Sequence, residues 1–310
     1  MRVGKLSSEE LESIVFRRLP KAGGDLLAGP GIGLDCAVLK SKGDRLVLTA
    51  DPITGTTSEI GRLAVHVACN DIAASGLRPT AVLLVLLAPP DATPEQVAGV
   101  VEQAAAAAEE IGVAIVGGHT EVSDAVTRFV LTAAAVGQGR PGQPILSAAG
   151  ARPGDSLVMT KSAALEGTAI LAADRSNRLS DCLSEDDLRE AGALVRRIGV
   201  VPEGVLAGQN GVTALHDATE GGILGAAWEM AAASGCGLLV EEGAIPVHPL
   251  TRRICRRLGL DPLRLISSGS LLAAVPNPAS YLAALADAGI PAAVIGAFRE
   301  GPRLLRRADG

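Results

Sequence analysis

Carboxylates set beside glycines or other small residues recur along the N-terminal half of this sequence, a pattern suited to holding a divalent cation together with a phosphate. The first group is Gly31-Ile32-Gly33-Leu34-Asp35-Cys36 and the second is Thr49-Ala50-Asp51-Pro52. The third is Asn70-Asp71, and the fourth Gly117-Gly118-His119-Thr120-Glu121. Carboxylate oxygens are hard ligands that suit Mg²⁺, and glycine amides reach phosphate oxygens with no Cβ in the way. Each group also has a plainer reading. Asp35 and Asp51 could be turn residues, Asp71 a solvent-facing or locally bonded side chain, and His119 a polar residue after a glycine turn. Taken together, and in this order, they favour a metal–phosphate site. The C-terminal half adds Thr160-Lys161, Glu166-Gly167-Thr168 and Asp217-Ala218-Thr219-Glu220-Gly221-Gly222. The last run puts free amides at a helix N-terminus, which suits an anion or equally a capped turn. Neither a Walker A sequence nor a GxGxxG opening a helix is present, so a P-loop and a dinucleotide fold are not supported.

These groups need elements to carry them. Charge placement predicts a helix over residues 7–19, followed by a Gly/Pro-rich loop over 22–33. Strands are predicted at 38–39 and 46–49 around a turn, and a helix over 60–75 that stops at Gly76. Residues 81–88 read as a buried strand. Thr93-Pro94-Glu95 opens a helix running to Gly112, and 113–116 is a strand that ends in the Gly117-Gly118 loop. Another strand covers 128–136. Glycines and prolines crowd residues 137–154, which divides the chain into domains 1–148 and 149–310. The second half is predicted to hold strands at 156–160, 238–241 and 271–275. Its helices follow Glu166-Gly167, cover 184–198 behind a capping box, follow Gly221-Gly222, and cover 251–258 and 281–288. Segregated strands and helices in both halves make an α/β (α+β) two-domain protein.

Composition narrows the possible functions. In 310 residues, hydrophobic side chains make up 48% but aromatics only 2%, so the core is aliphatic and a base-stacking platform for single strands is excluded. Net charge is −6 and neither half is basic, which argues against nucleic-acid binding. Five cysteines without CxxC spacing make neither a disulfide framework nor a zinc site. No secretory signal and no run long enough to span a bilayer is visible, so a cytoplasmic location is expected.

The runs Asn70-Asp71-Ile72-Ala73-Ala74-Ser75-Gly76 with Pro79, Gly117-Gly118-His119-Thr120-Glu121 and Asp217-Ala218-Thr219-Glu220-Gly221-Gly222 resemble the AIR synthase-related (PurM-like) superfamily. The resemblance covers roughly residues 25–300 and is closest to its HypE-type branch through 220–229, Ile245-Pro246-Val247 and 259–263. It implies an N-terminal domain that binds ATP and Mg²⁺ and dimerises, its strands joining in a barrel-like core, and a C-terminal α/β domain. By position, Asp35, Asp51 and Asp71 would be metal or phosphate-site carboxylates, with His119 and Glu121 as further metal ligands. Gly33, Asn70, Gly117, Gly118 and Thr120 would line the nucleotide, and Asp51, Lys161, Asp217 and Glu220 would be catalytic. The implied reaction is phosphoryl transfer from Mg-ATP that activates a carbonyl, amide or phosphate oxygen of a small substrate, in hydrogenase maturation with a partner protein. A kinase of the thiamine-monophosphate type is the alternative, and a nucleotide-binding maturation partner without turnover is another. Leu34-Asp35 stands where relatives have two aspartates, and His119 stands where they have a carboxylate. Imidazole is a softer ligand than carboxylate, and Glu121 could make up for it. The sequence ends Arg306-Arg307-Ala308-Asp309-Gly310 where HypE proteins end in a cysteine whose thiol receives the carbamoyl group, which implies that it does not perform the HypE dehydration on itself.

Overall fold

The computed structural model describes residues 9, 26–28, 36–41, 44–54 and 59–308. Asp35, Gly33 and most of the helix expected over 7–19 lie outside the described residues. Among the described residues the chain forms two six-stranded sheets in sequence order. The first contains β1 (Leu26–Ala28), β2 (Ala37–Ser41), β3 (Asp44–Ile53), β4 (Pro79–Ala88), β5 (Ala114–Val122) and β6 (Val130–Gly139), in the order β1-β2-β3-β6-β4-β5. Pairing is antiparallel except between β4 and β5, which run parallel across a helical crossover. The sheet is open, with β1 and β5 as its edges, so these strands do not close into a barrel within one chain.

That crossover is α2 (Pro94–Ile111), and its ends are written in the sequence. Thr93 accepts from the Gln96 amide while the Gln96 side chain returns to the Thr93 amide, and Gly112 closes the other end in the left-handed region. The second sheet holds β7 (Ser156–Thr160), β8 (Ala214–Asp217), β9 (Gly237–Glu241), β10 (Leu271–Val275), β11 (Ala292–Arg299) and β12 (Arg303–Arg306), in the order β12-β9-β11-β7-β10-β8. Around it lie α3 (Leu165–Asp174), α4 (Ser176–Leu179), α5 (Glu185–Ala193), α6 (Val201–Ala207), α7 (Gly222–Ala233), α8 (Pro249–Leu258) and α9 (Pro278–Asp287). The stretch expected as one helix over 184–198 leaves α-helical geometry at Leu194 and finishes as a 3₁₀ turn, Leu194–Arg197.

One helix holds the two halves together. α1 (Ile60–Ala74) is buried along nearly its whole length, and its apolar residues share one core with Val200, Val201, Leu215 and Tyr281 of the second half. A helix buried on nearly every side belongs in the middle of a protein. The contact with α6 is close enough that a Cβ on Gly204 would fall 2.2 Å from the Ala73 carbonyl oxygen, so only glycine fits there.

Candidate functional site

A buried helix cannot leave polar side chains unpaired at low cost, and the polar residues of α1 define what it does. Successive residues of a helix point about 100° apart, so Asn70 and Asp71 serve different surroundings. Asn70 is fully buried and faces the second half. Its Nδ2 donates to the Ile198 carbonyl at 2.8 Å, and its Oδ1 accepts from the Val200 amide at 2.8 Å. Asp71 faces β3. The Thr49 hydroxyl donates to its Oδ2 at 2.5 Å, while Oδ2 of the half-buried Asp51 lies 3.3 Å from the same hydroxyl. A hydroxyl carries one proton and cannot satisfy both carboxylates at once. Thr49 and Asp51 share a face of β3 through the two-residue strand period, so this convergence is a product of local geometry. The Cys36 thiol donates to the Asp71 backbone carbonyl at 3.1 Å.

Asp71 and Cys36 open onto a cleft of about 390 Å³ between β2, α1 and the segment 145–147. Val38, Ala74, Ile145 and Leu146 give it aliphatic walls, with Arg45, Ser75 and Ser147 as polar points. No aromatic side chain lines it among the described residues.

The Gly117-Gly118-His119-Thr120-Glu121 run lies elsewhere than expected. It is not a loop: β5 runs straight through it to Val122. A Cβ on Gly118 would fall 1.8 Å from the Leu84 carbonyl oxygen, so this glycine is explained by the close approach of β4. His119 and Glu121 project on one side of the edge strand, Nε2 to Oε2 at 3.1 Å, and both are exposed. Register places Asp51 opposite Ala133, Ala133 opposite Leu84 and Leu84 opposite Gly118. Three strand spacings, about 14 Å, therefore separate Asp51 from the Gly118 position. Within one chain, His119 and Glu121 do not share an ion with Asp51 and Asp71. No cluster of three or more metal-ligating side chains occurs among the described residues.

Lys161 follows β7 with a positive φ of 56° and turns inward. Its Nζ lies 2.7 Å from Glu203 Oε1 and donates to the Gly199 carbonyl at 2.6 Å. Burial pulls the Lys161 pKa down, and the Glu203 carboxylate opposes that. The pair lies at the same seam that Asn70 bridges. Glu203 is the residue that sequence reasoning missed, and no local signal pointed to it. Also at this seam is His66 on α1, whose ring faces Gly199. Burial, with the Arg62 and Lys161 charges, pushes its pKa down to about 4 against the opposing Glu110 carboxylate.

Asp217 ends β8, fully buried, and Glu220 follows in the exposed turn before α7. Gly222 is required there because a Cβ would fall 2.6 Å from the Leu263 carbonyl oxygen. Close by, Glu166 in the first turn of α3 is buried, and its Oε2 has no hydrogen-bond partner among the described residues. Burial raises its pKa, with the Glu220 charge adding to the effect and a hydrogen bond from Ser268 opposing it.

Two α/β halves packed on a shared buried helix, with carboxylates meeting beside a cleft, place this chain among the AIR synthase related proteins. It belongs to that family: the N-terminal domain of the family matches residues 33–138 and the C-terminal domain residues 152–307. The chain is similar to the carbamoyl dehydratase HypE of Escherichia coli (strain K12), at 34% identity over 284 residues, which cover 87% of this chain and 82% of that protein. The crystal structure of E. coli HypE superposes with a TM-score of 0.75 at 29% identity, covering 93% of this chain and 91% of that one. A structure of hydrogenase maturation protein HypE in complex with ATP gives 0.67 at 28% identity, covering 96% and 88%. The thiamine monophosphate kinase of Aquifex aeolicus, at 20% identity and a TM-score of 0.68 over 89% of this chain and 94% of that one, shares the fold. No helix among the described residues is long and apolar enough to cross a membrane.

Proposed function

We propose that this protein is an ATP-dependent enzyme of the HypE-like group. It would activate a carbonyl, amide or phosphate oxygen of its substrate by phosphoryl transfer, in hydrogenase maturation alongside a partner protein. The observation that carries the reading is the meeting of Asp51 and Asp71 at the Thr49 hydroxyl, with Asp71 on the wall of the aliphatic cleft. Similarity to the carbamoyl dehydratase HypE of E. coli and to a HypE structure holding ATP supports it.

The donor set fits Mg²⁺, which takes one or two carboxylates and leaves its other positions to water and phosphate. Asp51 and Asp71 would hold the ion, with Asp35 as a further carboxylate next in sequence to Cys36. Mg²⁺-ATP, when bound, supplies the transferable phosphoryl group and the charge that steadies it. The chain's own contribution is positioning. Thr49 keeps the two carboxylates oriented, α1 fixes Asp71 against β3, and the aliphatic walls of the cleft offer the adenine a dry surface without stacking. Asp217 ends β8 of the second sheet, Glu220 follows in the turn before α7, and both would face the substrate. Lys161 would act on the site through the seam it stabilises.

A homodimer formed through the β5 edge is part of this proposal. β5 is exposed along its length, and Val116 and Val122 are among its exposed apolar residues. A second copy would cover them, and could bring its His119 and Glu121 toward the carboxylates that the same chain's own pair does not reach.

Calorimetric titration with Mg-ATP tests the site. Asp51→Ala and Asp71→Ala should each weaken nucleotide binding by about tenfold or more, the loss of one strong charged contact. Unchanged affinity in both variants sinks the assignment.

A further inference from the structure

The chain's only tryptophan, Trp228, lies far along the sequence from the carboxylates and is about half exposed. It lines a second cleft of about 550 Å³ with Cys236, Gly237, Arg299, Glu300 and Arg303. The local chain path creates this cleft. β11 and β12 flank β9 on opposite sides, so the link over residues 300–302 must cross the end of β9. It crosses at Gly237, where a Cβ would fall 2.4 Å from the Gly301 carbonyl oxygen. Arg299 and Arg303 stand at either end of that link.

Neither guanidinium group pairs with a carboxylate among the described residues. The Nε of Arg299 is buried without a hydrogen-bond partner among the described residues. Arg303 stacks over the Trp228 ring, 5.3 Å from its centre, and among the described residues it reaches only the Cys236 and Ala231 carbonyls, at 3.4 and 3.5 Å. Glu300 lines the same cleft but pairs with neither guanidinium among the described residues. Farther along β12 the arrangement differs, since Arg306 pairs with Glu241 and Arg307 with Glu242. A buried donor left open costs stability that a bound anion would recover. Arg303 is also the first residue of β12, which is an edge of the second sheet among the described residues, and its neighbour Leu304 is exposed.

We infer that this cleft and the adjoining β12 edge form a docking site for an acidic, extended segment of a partner protein. The segment would add as a strand along β12, place a carboxylate on Arg299 and Arg303, and lay an apolar group on Trp228. Charge complementarity and continuity of the cleft with an open strand edge favour a peptide over a compact small molecule.

Trp228, as the only tryptophan, reports on the site directly by its fluorescence. The full-length protein would be titrated with an acetylated hexapeptide of alternating glutamate and valine. Its glutamine–valine counterpart and inorganic phosphate would be run in parallel. The acidic peptide should give a saturable change in emission that weakens with added salt. Arg299→Gln and Arg303→Gln should each weaken it by about tenfold while the far-ultraviolet spectrum and melting temperature match the parent. An equal response to the neutral peptide, no response to the acidic one, or unaltered binding in both variants overturns the inference. Phosphate that produces the same change and blocks the peptide also overturns it, because the site would then be one for small anions.

Discussion

Replacing Asn70 by alanine should loosen the joint between the two halves more than its single amide suggests. The side chain is fully buried, and it is the partner of two backbone groups, the Ile198 carbonyl and the Val200 amide, each at 2.8 Å. In Asn70→Ala both are left unpaired where water enters poorly. An orphaned buried group costs about 1–3 kcal/mol, so with two of them the variant should lose about 2–6 kcal/mol. That is a large share of a typical total stability of about 5–15 kcal/mol. Asn70→Asp should fare no better. It keeps an acceptor for the Val200 amide but turns an oxygen toward the Ile198 carbonyl and adds a buried charge beside Asp71. Urea denaturation gives the energy, and hydrogen exchange at the Val200 amide gives the location. If Asn70→Ala stays within about 0.5 kcal/mol of the parent, the range of a surface substitution, and the Val200 amide stays protected, the reasoning fails.

His66 makes stability depend on pH. Its folded pKa, about 4, lies below the unfolded value, so its contribution is complete above about pH 6.5 and is lost as the pH falls toward 4. The loss amounts to roughly 3 kcal/mol, and His66→Gln should show a visibly shallower decline across that window in urea melts. Equal slopes would count against it. Glu203→Gln should cost about 3–5 kcal/mol by leaving the Lys161 ammonium buried without its carboxylate, and a Lys161→Met/Glu203→Leu double variant should recover much of that. Recovery is absent if the pair is not coupled. Gly118→Ala should destabilise by about 1–3 kcal/mol and deprotect the β5 amides, because its methyl would meet the Leu84 carbonyl. Gly99→Ala, at an open position in the interior of α2, should instead stabilise by about 0.5–1 kcal/mol, readable as a raised melting temperature.

What could be read in advance was whatever is decided by neighbours in sequence. Thr93-Pro94-Glu95 announced one helix start through a proline at the first helical position, and Ser184 with Asp187 another through a capping box, because both signals close within four residues. The bounds of β10 follow from a short apolar run between polar residues. By contrast, Gly117-Gly118 looks like a turn, and only the approach of Leu84 from another strand shows why glycines stand in mid-strand. β11 is built mostly from alanine, glycine and single larger residues, a poor strand signal by propensity, and it forms because two strands flank it. The polar pair inside the α1 stretch was visible as an anomaly. Its division of labour was not, because the partners of Asn70 are 128 and 130 residues away. Lys161 was visible as a strand-end cation, while the carboxylate that occupies it sits on a helix with no motif around it.

The position of α1 also bears on how the chain comes to be made. As the first half leaves the ribosome, α1 can pack against β3, β6 and α2, but the surface meant for Val200, Leu215 and Tyr281 has nothing to cover it. Asn70 waits with it, its amide turned toward residues not yet synthesised. The early half is therefore a sticky intermediate rather than a finished domain, and it depends on prompt arrival of the second half or on chaperone cover. The same helix that presents Asp71 beside the cleft thus links completion of that site to completion of the whole chain.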